Sequence, residues 1–108
     1  MTKLVVKSGS CGYNINIVVE KEAGGSKRFR LHIESDCKHV NLLASDLPVL
    51  DMAAVFTAII QNPVYQAGSR RLKHPACPVP SAILKALEVE AALNVPRDVH
   101  IEFEKKRD

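Results

Sequence analysis

The sequence predicts an α+β fold in which two layers pack together, an antiparallel sheet of about four strands and a set of helices on one of its faces. Three observations lead there. Apolar and polar residues alternate with a period of two through Tyr13–Val19 and again through Phe29–Ile33, which marks two half-buried strands. Helical spacing of apolar residues then fills the middle of the chain and its late stretch Ile83–Ala91. A last alternating segment, Val99–Phe103, closes the pattern, so the expected order is β-β-β-α-α-α-α-β. A chain of 108 residues builds one hydrophobic core, so residues 1–108 are read as a single domain.

Taken in order, Leu4 to Lys7 is a short β-branched run and a candidate first strand. In the second strand Tyr13, Ile15, Ile17 and Val19 face one way and Asn14, Asn16 and Glu20 the other. Gly24-Gly25 supplies a turn, and Phe29, Leu31 and Ile33 then alternate with Arg28, Arg30, His32 and Glu34. Ser35-Asp36 offers acceptors to cap a first helix carrying Val40, Leu42, Leu43 and Leu47, which Pro48 stops. Asp51 is placed to cap a second helix with Val55, Phe56, Ile59 and Ile60 on one stripe. Asn62-Pro63 starts a short third helix through Tyr65, expected to fray near Gly68. Pro75, Pro78 and Pro80 lead into the strongest helix, with Ile83, Leu84, Leu87 and Ala91 inward and Lys85 and Glu88 toward water. Asn94 to Pro96 ends it, and Val99, Ile101 and Phe103 alternate with His100, Glu102 and Glu104 as a strand that adds to the sheet.

Composition narrows the function classes. With 46% hydrophobic and 25% charged residues the chain has the balance of a folded globular domain. No run approaches the roughly 18 apolar residues that cross a bilayer, and Met1–Lys7 lacks a signal peptide's apolar stretch, so a cytoplasmic location without a membrane partner is expected. A net charge of +3 is mild. The basic stretches Lys27-Arg28, Arg70-Arg71 and Lys105-Lys106-Arg107 lie far apart and read as solvated surface rather than as a nucleic-acid footprint.

The three cysteines carry the chemistry. In a reducing compartment they read as ligands, a reactive thiol or packing residues, and disulfides are disfavoured. Cys11 sits in the small-residue turn Ser8-Gly9-Ser10-Cys11-Gly12, Cys37 opens the first helix, and Cys77 precedes Pro78 as the expected cap of the last helix. A helix N-terminus favours a thiolate through its unpaired amides and dipole. Soft thiolates at element ends can meet at one sheet edge, and His74 completes a set of Cys11, Cys37, Cys77 and His74 suited to zinc or an iron-sulfur cluster. Asp36 and His39 are secondary candidates beside Cys37. Buried cysteines that serve only as small hydrophobes are the bland alternative. No spacing supports a cysteine nucleophile with His39 or His74 as its base, so an enzyme is not expected.

A cysteine in a glycine turn before a hairpin, a cysteine opening a helix after it, and Cys77 preceded by His74 at the start of the last helix together resemble the IscU/NifU-type iron-sulfur scaffold proteins over Ser8 to Leu93. This resemblance implies cluster or zinc binding at Cys11, Cys37 and Cys77, with His74 auxiliary, and a cysteine desulfurase or an iron-sulfur recipient protein as partner. The chain departs from that pattern at Gly12-Tyr13, where the family has an aspartate, and at Pro75-Ala76, which separates His74 from Cys77. Locally, Cys77-Pro78-Val79-Pro80 is similar to the Cys-Pro-x-Pro motif of TusA-type sulfur carriers, which implies persulfide carriage on Cys77. As a whole the chain also resembles a group of short uncharacterised proteins of anaerobic microbes.

Overall fold

A computed structural model describes residues 1–9, 12–24 and 27–105. Its elements are β1 (Thr2–Lys7), β2 (Asn14–Lys21), β3 (Arg28–Glu34), α1 (Lys38–Asp46), β4 (Val49–Asp51), α2 (Pro63–Arg71) and α3 (Val79–Glu90), with two short 3₁₀ helices at Met52–Phe56 and Ile59–Gln61. The strands form one antiparallel sheet in the order β1-β2-β3-β4, so the fold is α+β as the sequence predicts.

The alternation read from the sequence sets the two faces. Ile15, Ile17 and Val19 of β2 and Phe29 and Leu31 of β3 are buried, while Asn14, Asn16, Arg28, Arg30 and His32 stay exposed. Register aligns the inward residues into rows: Leu4 opposite Ile17 and Ile33 beyond it, Thr2 opposite Val19 and Leu31 beyond it. Against this face pack Val40, Leu43 and Leu47 around α1, Val64 and Ala67 of α2, and Val79, Ile83, Ala86 and Leu87 of α3. Each large side chain so buried contributes about 1.5–3 kcal/mol of transfer free energy.

The fourth strand is not the expected one. It is the three-residue β4, which pairs with β3 so that Leu50 lies opposite Phe29 on the inner face. Val99–Phe103 carries no regular secondary structure, and Val99, Ile101 and Phe103 are 57%, 86% and 101% exposed. Period-two alternation reports two unlike faces, but a strand forms only by pairing, and this segment pairs with none of the described strands.

The expected second helix is likewise replaced. Asp51 does cap, its Oδ1 accepting from the Ala53 N–H at 2.9 Å, yet the turns beyond it are 3₁₀ and leave Phe56, Ile59 and Ile60 exposed. The reason is Asn62. Its Nδ2 donates to the carbonyls of Ala54 at 2.7 Å and Thr57 at 3.1 Å, the acceptors that Ala58 and Gln61 would use in a continuous α-helix. Asn62 also caps α2, with Oδ1 accepting from the Val64 N–H at 3.0 Å and Pro63 at the first helical position, as read from the sequence.

Helix α2 does not fray at Gly68 but continues to Arg71, because Gly68 is buried where α2 meets α3. A Cβ there would stand 3.3 Å from Cγ of Pro80 and 3.4 Å from Cδ1 of Leu72, so the missing side chain is what lets the helices approach. The last turn of α2 is tied to the end of α1 by Arg71, whose Nε and Nη2 donate to the Asp46 carboxylate at 2.8 and 3.2 Å. This hydrogen bond from Arg71 holds the Asp46 carboxyl below its usual range.

Candidate functional site

Strand direction decides where the cysteine-bearing segments lie. Lys7 pairs with Asn14, and Asn16 with Glu34, so the end of β1, the start of β2 and the end of β3 share one end of the sheet. The start of β1 and the end of β2 lie at the opposite end. There the carboxylate of Glu90, the last residue of α3, accepts from the Thr2 hydroxyl at 2.7 Å, from the Lys21 N–H at 3.1 Å and from the N-terminal ammonium at 3.1 Å. Helix α3 packs on β1 and β2, and its 12 residues span about 18 Å, close to the length of β1. Its start packs on α2, where Pro80 lies against Gly68.

Two of the junctions that carry the candidate residues share the end marked by Lys7, Asn14 and Glu34, and a third precedes α3. The turn from β1 to β2 is closed by the Gly12 N–H donating to the Gly9 carbonyl at 2.8 Å and by the Ser8 N–H donating to the Tyr13 carbonyl at 3.2 Å. Gly9 and Gly12 both adopt positive φ, at 70° and 72°, the left-handed region that glycine reaches without strain. Cys11, between them in sequence, lies outside the described residues. The second junction runs from β3 into α1 and carries Cys37. The third leads into α3 and carries His74 and Cys77.

Cys37 occupies the N-cap position of α1 in extended backbone, but its side chain accepts no capping hydrogen bond. Ser35 does not cap the helix either. Its Oγ accepts from the Cys37 N–H at 3.0 Å and its carbonyl from Asn41 Nδ2 at 2.8 Å, which fixes the junction from both sides. Cys77 is not the cap of α3. Pro78 holds that position in helical backbone with Val79 and Pro80 following, so Cys77 stands one residue outside the helix. With prolines at 78 and 80 the first turn lacks two amide donors, which removes the reason for a side-chain acceptor there. The expectation of a thiolate capping α3 at Cys77 is thereby corrected.

Cys37 and Cys77 are both half-buried and pack against the hydrophobic core. The Cys77 N–H donates to the His74 carbonyl at 3.2 Å, closing a tight turn that keeps the two residues adjacent, with the His74 side chain exposed. Asp36 is exposed and His39 half-buried in the first turn of α1. Among the described residues no three His, Cys, Asp or Glu side chains come together as a group able to hold a metal ion. Cys37, His74 and Cys77 therefore do not form such a group.

An open groove of about 480 Å³ lies at the end of the sheet marked by Asn14 and Glu34, lined by Asn14, Asn16, Ile33, Glu34, Ser35, Asp36 and Asn41. Its asparagines read in the sequence only as the wet face of a strand and the outer side of a helix. Glu90 also escaped the sequence reading, because the partners of its carboxylate, the N-terminal ammonium, Thr2 and Lys21, are far away in sequence.

Among the described residues no helix is long and apolar enough to cross a membrane. No curated protein and no solved structure matches the chain. One family model matches residues 2–103, almost the whole length including the segment beyond α3, and the chain therefore belongs to DUF6951, a family of unknown function.

Proposed function

We propose that the chain binds a thiophilic metal ion or an iron-sulfur cluster through Cys11, Cys37 and Cys77, with His74 as a further ligand. The observation that supports this reading is topological: the β1–β2 turn and the exit from β3 into α1, which carries Cys37, share one end of the sheet. Cys77 lies just before α3, half-buried against the same core as Cys37. Thiolates are soft donors that select zinc or iron-sulfur clusters over hard cations. The order of the three cysteines, similar to that of IscU/NifU-type scaffolds, supports the same reading and makes a cysteine desulfurase or an iron-sulfur recipient the partner class.

The test is metal analysis and absorption spectroscopy of protein purified without air, for the wild type and for Cys11→Ser, Cys37→Ser and Cys77→Ser. Each substitution replaces a soft thiolate by a poor hydroxyl ligand and is expected to lower bound metal severely, with His74→Ala lowering it less. Equal metal content in the wild type and in the triple serine variant would end this reading. Persulfide loading by a desulfurase that depends on Cys77 alone, without bound metal, would favour sulfur carriage instead.

A further inference from the structure

The segment beyond α3 has the pattern of a strand and pairs with none of the described strands of its own chain. Its departure from the body is fixed. Ala92 takes the left-handed conformation at φ 60°, and the N–H groups of Ala92 and Leu93 donate to the carbonyls of Val89 at 3.0 Å and Glu88 at 2.9 Å, the double bond of a Schellman motif. Asn94 Oδ1 accepts from the Val95 N–H at 2.9 Å, and the Arg97 N–H donates to the Val95 carbonyl at 2.9 Å around Pro96. Past this ordered bend Val99, Ile101 and Phe103 stand outside the core, and the molecule is 58 Å long against 28 and 25 Å across. The family match runs through Phe103, so this segment belongs to the shared domain.

The sheet presents a complementary edge. β1 is the outermost strand, paired on one side only, and presents unpaired backbone groups along six residues. On its helix side Leu4 and Val6 are only half-buried, and on its open side stand Lys3, Val5 and Lys7. A strand laid against this edge with Val99, Ile101 and Phe103 toward the helices would extend the row of Leu4 and Val6. The same placement sets Glu102 and Glu104 on the open face beside Lys3 and Lys7, so apolar and charged residues match together in one register class.

We propose that residues 98–104 pair as a fifth strand with β1 of a second copy of this chain, in a reciprocal exchange that closes a two-fold dimer. In the structure the segment stands exposed and leaves β1 of its own chain uncovered, which is why the partner is another copy. Each exchange covers an exposed edge and three exposed apolar side chains at once.

The test is sedimentation of the full chain under reducing conditions over a concentration series, which keeps cysteine cross-links out of the result. A dimer is expected in the micromolar range. Ile101→Asp with Phe103→Asp should weaken it by about tenfold or more, corresponding to burial lost at two strand positions. Lys3→Glu with Lys7→Glu should weaken it less, and adding Glu102→Lys and Glu104→Lys should restore it. Unchanged thermal unfolding of the diluted variants confirms that the body still folds. A wild type that stays monomeric throughout the series overturns the proposal, as does a dimer indifferent to both tail and β1 variants. A monomer whose residues 98–104 are protected from amide exchange also overturns it, in favour of pairing within one chain.

Discussion

Glu90 reaches from the last turn of α3 to the hydroxyl of Thr2 at 2.7 Å, joining residues 88 positions apart at the edge of the sheet. Through the same carboxylate the end of α3 is fixed to the end of β2 at Lys21.

Acid should loosen this anchor. Burial pushes the Glu90 carboxyl up, but the hydrogen bonds from Thr2 and Lys21 and the N-terminal ammonium outweigh it and hold the group below its usual value of 4.5. A carboxyl depressed in the folded state stabilises the fold above the unfolded value and loses that contribution as pH falls through the lower folded value. Glu90→Gln is expected to cost about 1–3 kcal/mol at neutral pH and to flatten the acid limb of stability, measured by urea unfolding at successive pH values.

Asn62 is the one buried polar side chain among the described core residues, and all its bonds are local to the α2 junction. Asn62→Ala removes a helix cap and the amide donor to the carbonyls of Ala54 and Thr57, for an expected loss of about 1–3 kcal/mol by chemical denaturation. Asn62→Asp keeps the cap acceptor but loses both donors and buries a charge. Its deficit should therefore be larger at neutral pH than in acid.

Gly68 should resist enlargement. A Cβ already falls 3.3 Å from Pro80, and the branched side chain of Gly68→Val would force α2 and α3 apart, costing about 1–3 kcal/mol in thermal or urea unfolding.

Ala92 offers the opposite case. A Cβ in the left-handed region costs roughly 1 kcal/mol that glycine avoids, so Ala92→Gly should raise stability by about 0.5–1 kcal/mol. A lower melting temperature in this variant would show that the C-terminal turn of α3 is held by something other than its backbone bonds.

The sequence by itself determined the central hairpin and α3. Ile15, Ile17, Val19, Phe29 and Leu31 declare the buried face of β2 and β3, and Ile83 and Leu87 that of α3, since local periodicity suffices to say which side of an element is apolar. It also supplied the cap of α2 at Asn62-Pro63 and three thiols suited to soft-metal chemistry. Only the tertiary structure decided what each face and junction meets. Val99–Phe103 has as clear a strand pattern as β2 but pairs with no described strand, whereas β4 is too short to register as a pattern and pairs with β3 so that Leu50 lies opposite Phe29. Along the stripe from Val55 to Ile60 the turns are 3₁₀, with Asn62 bonded to the carbonyls of Ala54 and Thr57. The end of α3 is held by Glu90, a bond across nearly the whole chain. Periodicity is a property of neighbours in sequence, while pairing, anchoring and convergence are contacts between residues that only folding brings together.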